Sequence, residues 1–224
     1  MFSYFFGSRP TIKIFDVDNM KTHSLSFIVG NSYSGKSLLC KDIINHKYKD
    51  LSKGKVVSLS EAYNLFYTKF LPNNFVSDKY DADDISNILD EQISNDLSQF
   101  IVLDDVINNL PLFSNDELRQ LVVTSGSNNI LTLITSQTFV PPPYILSNID
   151  YIFITKVFDI DILKKIYHKY CQELYSNFNE FHEIVKIITT DYQCLVIDKT
   201  QNVNKVILFY YKANKNNDIK LYQN

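Results

Sequence analysis

Apolar positions along the chain follow two alternating rhythms. Short unbroken apolar runs of strand length are separated by stretches in which apolar residues recur at helical spacing. Leu25–Val29 reads as a strand, and Ser37–His46 as a helix carrying Leu38, Leu39, Ile43 and Ile44. Lys55–Leu59 is a second strand, with Ser58-x-x-Glu61 in the form of a capping box behind it. Asp83–Ser94 has one apolar face, formed by Ile85, Ile88, Leu89 and Ile93. Phe100–Leu103 is a short strand. A second capping box, Ser114-x-x-Glu117, precedes a helix running to about Val123, and Ile130–Thr135 is the next strand. Pro141–Pro143 reads as a loop, because three ring-locked residues continue neither helix nor sheet. Tyr151–Thr155 is a strand, Asp159 caps a helix through Cys171, and Asn177–Ile188 is a further helix. Cys194–Ile197 and Val206–Tyr211 close the pattern as a pair of strands.

Strand alternating with helix predicts an α/β fold with a mainly parallel, doubly wound sheet flanked by helices. The pattern runs without a break to about residue 212, which predicts one domain over residues 1–212. Residues 213–224 are polar and are expected to form a frayed tail.

Composition narrows the setting. The chain has 224 residues, 45% of them hydrophobic and 21% charged, enough to bury a core without disulfides or metals. The three cysteines, Cys40, Cys171 and Cys194, are odd in number and far apart, which predicts reduced buried thiols in an intracellular protein. No apolar run reaches membrane-spanning length, and the short aromatic cluster at the start has no basic flank, so a signal peptide is not expected. A formal net charge of −3 argues against a surface that coats duplex DNA, while leaving room for a few lysines in a pore or groove. Asn, Ile, Lys and Tyr are abundant, Trp is missing, and the arginines are Arg9 and Arg119. We read this skew as a nucleotide bias of the genome.

The strongest chemical signal is Gly30-Asn31-Ser32-Tyr33-Ser34-Gly35-Lys36-Ser37, followed by Leu38. This is the form G-x-x-x-x-G-K-S, set between a strand and an amphipathic helix. Glycines permit backbone angles that turn amide groups inward as a nest for phosphate oxygens. The start of the following helix adds its positive end. Lys36 is then expected to reach the β- and γ-phosphates, and Ser37 to offer its hydroxyl to Mg²⁺. A chance glycine turn is the competing reading, and both flanks argue against it.

Two further segments fit that expectation. Phe100-Ile-Val-Leu-Asp104-Asp105 is an apolar strand ending in two carboxylates, the form of a Walker B segment. Asp104 is assigned to the metal and Asp105 to the base that polarises the attacking water. Ile130–Ser136 ends at Gln137, and strand ends face the ligand crevice in open α/β sheets. Gln137 is a candidate sensor of the γ-phosphate, or else a surface amide. Lys41, Lys47, Lys49, Lys53 and Lys55 cluster in the sequence; they read as a solvated face, with DNA contact the alternative.

With these segments in order, the chain resembles the genome-packaging ATPases of poxviruses and other nucleocytoplasmic large DNA viruses, within the FtsK/HerA superfamily. The resemblance is carried by Phe100–Val106, the helix from Ser114, Asn129–Thr138, Val140–Pro143 and Asn148–Asp150, with Tyr192–Asp198 similar to the family's closing strand. It implies a RecA/FtsK-like P-loop ATPase fold. It also implies an oligomeric ring that hydrolyses ATP, with Mg²⁺, to drive double-stranded DNA into a capsid. Capsid or portal proteins are then possible partners, and a viral factory in the host cytoplasm, or the virion, is the expected location. The implied roles are Lys36 and Ser37 on the nucleotide, Asp104 on magnesium, Asp105 as base and Gln137 as polar sensor. One departure stands out: where the family carries arginines, this chain has Ser125-Gly126-Ser127 and Leu146-Ser147-Asn148. Arg119 or a lysine is the expected substitute. Two rival readings remain, a P-loop nucleoside or nucleotide kinase and a nucleotide-gated assembly scaffold without turnover.

Overall fold

The structure, a computed structural model, describes residues 12–95, 97–106, 114–200, 207–215 and 220–222. Nine strands lie in one sheet among these residues: β1 (Lys13–Ile14), β2 (Leu25–Val29), β3 (Lys53–Ser58), β4 (Val76–Ser77), β5 (Gln99–Asp104), β6 (Ile130–Ser136), β7 (Tyr151–Ile154), β8 (Gln193–Asp198) and β9 (Ile207–Lys212). Their order across the sheet is β1-β9-β8-β7-β2-β6-β5-β3-β4. Only β8 is paired antiparallel to its neighbours, β7 and β9, and every other ladder is parallel. The expected mainly parallel α/β sheet is therefore present. Sequence alone had not placed β1 and β4, whose two residues are too short to show a period.

Because parallel strands are covered on both faces, their apolar residues alternate between two cores rather than between core and water. Leu25, Phe27 and Val29 of β2, Ile101 and Leu103 of β5, and Ile130 and Ile134 of β6 point to one core. That core is covered by α3 (Ala82–Asn95), α4 (Asp116–Thr124), α5 (Pro143–Asn148), α6 (Ile160–Ile166) and α7 (Phe178–Ile188). Ile28, Phe100, Val102, Leu131 and Leu133 face the other core, under α1 (Lys36–Lys47), where Leu39, Cys40, Ile43 and Ile44 are buried. All three cysteines are buried and unpaired. No helix among the described residues is long and apolar enough to cross a membrane.

Helix ends depart from the sequence reading in informative ways. Ser58 and Glu61 do not form a capping box. The short helix α2 (Glu61–Asn64) starts after Ser60 without a side-chain cap. Glu61 is instead buried and accepts from the backbone amides of Tyr67 and Thr68 and from the Thr68 hydroxyl. The cap of α4 is Asn115 rather than Ser114; its side chain accepts from the Leu118 amide at 2.9 Å. Pro143 is not loop but the first residue of α5, where a missing N–H costs nothing because that donor would be unpaired anyway. The predicted helix through Cys171 stops at Ile166 and continues as a π turn, Tyr167–Cys171.

The tail also departs from expectation. Its described residues pack against the body. Ala213 and Leu221 are buried, and the Leu221 amide donates to the Phe70 carbonyl at 2.8 Å. The Tyr222 hydroxyl donates to the Leu51 carbonyl at 2.9 Å, and its ring meets those of Phe75 and Phe100. Polar residues around them mask these anchors in the sequence.

Candidate nucleotide-binding site

The central strand β2 ends at Gly30, and the chain turns through the loop into α1. The loop's start is held from both neighbouring strands: the Gly30 amide donates to O of Ser136, the last residue of β6, and the Asn31 amide donates to Lys156 O after β7. A Cβ on Gly30 would lie 1.8 Å from the Thr155 hydroxyl, so no larger residue fits without rearrangement. Gly35 adopts φ 98°, a left-handed backbone suited to glycine. Tyr33 adopts φ 60° without that freedom, at a cost of about 1 kcal/mol, and its side chain is fully exposed. The Ser34 hydroxyl turns away from the loop onto Thr155, 2.7 Å away. No side chain caps α1, whose first turn holds no acid and whose last turn holds His46 and Lys47. Its free N-terminal amides and dipole therefore favour an anion at this end.

Lys36 is buried, and its ammonium donates to Gly30 O at 3.1 Å and Asn31 O at 3.2 Å. It also stands 3.4 Å from Asp105 Oδ2. Ser37 donates its hydroxyl to Asp104 Oδ2 at 2.7 Å. Strand β6 lies between β2 and β5, so the carboxylates reach the loop across the end of β6. Asp104 accepts there from Thr135 Oγ1 at 2.6 Å, and also from the Tyr67 hydroxyl at 2.9 Å. Burial, and then the Asp104 charge, raises the Tyr67 hydroxyl well above its ordinary range and keeps it a donor.

Asp105 is held differently. Its backbone is left-handed, φ 55°, pinned by its amide donating to Thr135 Oγ1 at 2.9 Å. Burial pushes its carboxyl above the usual carboxylate range, and the Lys36 ammonium only partly offsets this. One oxygen, Oδ1, is buried without a hydrogen-bond partner. Gln137 links this carboxylate to the loop: its amide donates to Asp105 Oδ2 at 3.4 Å and its carbonyl accepts from Ser32 Oγ at 3.0 Å. The predicted residues Gly30–Leu38, Asp104, Asp105 and Gln137 thus converge at the ends of the central strands β2, β5 and β6, and Ser32, Tyr33, Gly35–Leu38, Asp105 and Gln137 line a hollow of about 470 Å³ there.

Several contributors escaped the sequence reading. Tyr67 comes from a segment without periodicity, and Tyr192 lines the hollow from the turn just before β8. Thr135 and Thr155 are polar residues ending buried strands, a signal that could have marked them. The lysine cluster dissolves in three dimensions. Lys47 is buried on the carbonyls of Asp18 and Met20, while Lys53 and Lys55 pair with Glu91 and Asp84. The Ser125–Ser127 turn lies before β6, at the strand end away from Lys36, and Lys21 and Lys199 stand beside it. Arg119 packs over the Tyr144 ring.

A donor set of one serine hydroxyl and one carboxylate oxygen at 2.7 Å, beside a phosphate nest, fits a magnesium ion that also binds phosphate. This loop, this strand order and this pair of carboxylates define a protein with the RecA/FtsK-like P-loop ATPase fold. Solved structures agree. The DNA-packaging ATPase B204 of Sulfolobus turreted icosahedral virus superposes with a TM-score of 0.61 at 17% identity, over 84% of this chain and 98% of that one. The genome-packaging NTPase B204 of Sulfolobus turreted icosahedral virus 2, in complex with ATP-γS, gives 0.57 at 15% identity, over 84% and 97%. The conjugation coupling protein TcpA of pCW3 gives 0.56 at 13%, over 86% and 62%. No family model matches the sequence. The chain belongs to the family of the uncharacterized protein 088R of Invertebrate iridescent virus 3, to which it is 30% identical over 196 residues, 84% of this chain and 74% of that protein. The uncharacterized protein L437 of Acanthamoeba polyphaga mimivirus is 25% identical over 217 residues, 89% and 76% of the two chains.

Proposed function

We propose that this chain is an ATP-hydrolysing DNA translocase that packages viral double-stranded DNA into a capsid, working as a homo-oligomeric ring in the infected cell. The observation that carries the reading is the meeting of Lys36, Ser37, Asp104 and Asp105 at the mouth of a phosphate nest. Supporting it, similar solved structures are viral DNA-packaging ATPases, and the relatives come from large DNA viruses.

In this reading the triphosphate lies along the amides of residues 30–37. Lys36 leaves Asp105 for the β- and γ-phosphates, which releases the carboxylate to face the attacking water. Asp105, raised in pKa by burial, accepts that water's proton more readily than an ordinary carboxylate would. Gln137, tied to both Ser32 and Asp105, fixes the distance between loop and base. Ser37 and Asp104 would hold magnesium, which supplies charge neutralisation at the phosphate oxygens. In a ring, a basic group of the neighbouring subunit completes the site. Lys21, half exposed beside the Ser125–Ser127 turn, is our candidate in place of the family's arginine. Portal or capsid proteins would anchor the ring.

The test is DNA-stimulated ATP hydrolysis by the purified protein, with Lys36→Ala as control. Hydrolysis that rises with duplex DNA and vanishes in the variant is expected. No hydrolysis in any oligomeric state, with or without DNA, removes the motor; phosphate transfer to a nucleoside would make it a kinase.

A further inference from the structure

Asp104, the last residue of β5, has its carboxylate held from three elements. Ser37 Oγ and Tyr67 Oη both donate to Oδ2, at 2.7 and 2.9 Å, and Thr135 Oγ1 donates to Oδ1 at 2.6 Å. Ser37 belongs to the phosphate loop and is assigned above to magnesium. The other two donors stand outside the loop, and each takes one oxygen: Thr135 reaches Oδ1 from β6, and Tyr67 reaches Oδ2 from the segment after α2. One such donor on each oxygen sets the rotation of the carboxylate about its Cβ–Cγ bond. Tyr67 is itself firmly held. It is fully buried, with its ring centre 5.1 Å from that of Phe66 and 5.8 Å from that of Phe70. Its amide donates to Glu61 Oε2 at 3.0 Å, and its carbonyl accepts from the Phe70 and Leu71 amides at 3.1 and 2.9 Å. Glu61 is a buried carboxylate, costly unless hydrogen-bonded. Its other oxygen accepts from the Thr68 amide and hydroxyl, so both oxygens serve the turn Tyr67–Lys69. Between Glu61 and Tyr67 the chain passes the phosphate hollow, which Asn64 and Phe66 help to line.

We propose that Tyr67 is a positioning residue for the metal site: its hydroxyl holds the Asp104 carboxylate turned toward Ser37, and Glu61 holds Tyr67 in place. The inference rests on the assignment of Ser37 and Asp104 to magnesium. Tyr67 acts through Asp104 and not on the nucleotide. Groups that orient a metal-binding carboxylate strengthen metal binding without touching the ion, and losing one typically weakens it about 10–100-fold. A packing role alone would affect the fold and leave the metal dependence of nucleotide binding as it was.

Binding of a fluorescent ATP analogue to the full chain, in EDTA and across a magnesium titration, tests this. Wild type should bind more tightly with magnesium. Tyr67→Phe, which removes one oxygen and keeps the ring, should raise the magnesium concentration at half-effect about tenfold, with affinity in EDTA within about twofold of wild type. Glu61→Gln, which replaces one of the two acceptor oxygens by a donor, should shift the same midpoint in the same direction by about threefold. A midpoint that Tyr67→Phe leaves in place or lowers overturns the positioning role. So does an affinity lost equally with and without magnesium, the signature of packing alone. A midpoint that Glu61→Gln leaves in place overturns the part given to Glu61. A wild type that binds the analogue equally with and without magnesium overturns the metal assignment and this inference together, while leaving the phosphate loop standing. A wild type that binds it in neither condition overturns the nucleotide reading as well.

Discussion

Asp42 and Asp104 are both buried carboxylates that touch α1 or lie on it, yet their surroundings give them opposite tasks. Asp42 accepts from the Tyr211 hydroxyl at 2.6 Å and from the Asn214 amide at 3.1 Å. These partners come from β9 and the segment after it, so Asp42 locks α1 to the end of the chain. Asp104 accepts from three hydroxyls, those of Ser37, Tyr67 and Thr135. One of the three, Ser37, belongs to the phosphate loop. Burial is the same in both; what differs is that Asp42 holds a main-chain amide, whereas Asp104, in the proposed role of metal ligand, holds the Ser37 hydroxyl. A main-chain amide has nowhere else to go, whereas a serine hydroxyl can change partners.

The sharpest way to break this comparison lies at the loop. Lys36→Ala should lower hydrolysis by roughly a thousandfold, since it removes the charge that meets the γ-phosphate, and steady-state ATPase rates report it. Gly30→Ala should be the most damaging change to the loop's structure. Its Cβ would fall 1.8 Å from Thr155 Oγ1 and 2.7 Å from Ser34 Oγ, so we expect a loss of about 1–3 kcal/mol in urea unfolding together with weaker nucleotide binding. At the latch, Tyr211→Phe leaves Asp42 short of a donor. Stability should fall by about 1–3 kcal/mol, while the hydrolysis rate of the folded protein stays within about twofold. An equal loss of rate would erase the distinction between the two aspartates.

The smallest effect expected is on stability, at Asp105. Its folded carboxyl titrates above the ordinary range because of burial, so ionising it costs the fold something as pH rises through that raised value. Below the ordinary carboxylate range it is protonated, folded or unfolded, and behaves like an amide. Asp105→Asn should therefore melt slightly above wild type at pH 8, and the gain should fade on acidification. Turnover should be lost in the same variant. A variant that melts lower at pH 8 would show that the pairing with Lys36 outweighs burial.

Much of this was legible from residue order. The loop and the Asp pair need particular residue types at fixed spacing, so Gly30–Ser37 and Asp104–Asp105 stand out before any fold is known. The buried strands show as unbroken apolar runs for the same reason that they are covered on both faces. What stayed hidden depends on long-range contact. Tyr67, Tyr192 and Asp42 are ordinary residues until the fold brings Asp104, Gly35 and Tyr211 to them. Capping was read one residue off at α4 because Ser114 and Asn115 are both good caps, and only backbone geometry selects Asn115. The tail misled because Leu221 and Tyr222 are apolar positions within a polar stretch.

The most direct measurement is a structure of the protein with magnesium and a non-hydrolysable ATP analogue. The account predicts phosphate oxygens on the amides of residues 30–37, Lys36 Nζ moved from Asp105 onto the γ-phosphate, and Ser37 and Asp104 together at the metal. Phosphates bound elsewhere, with Lys36 still on Gly30 and Asp105, would contradict it.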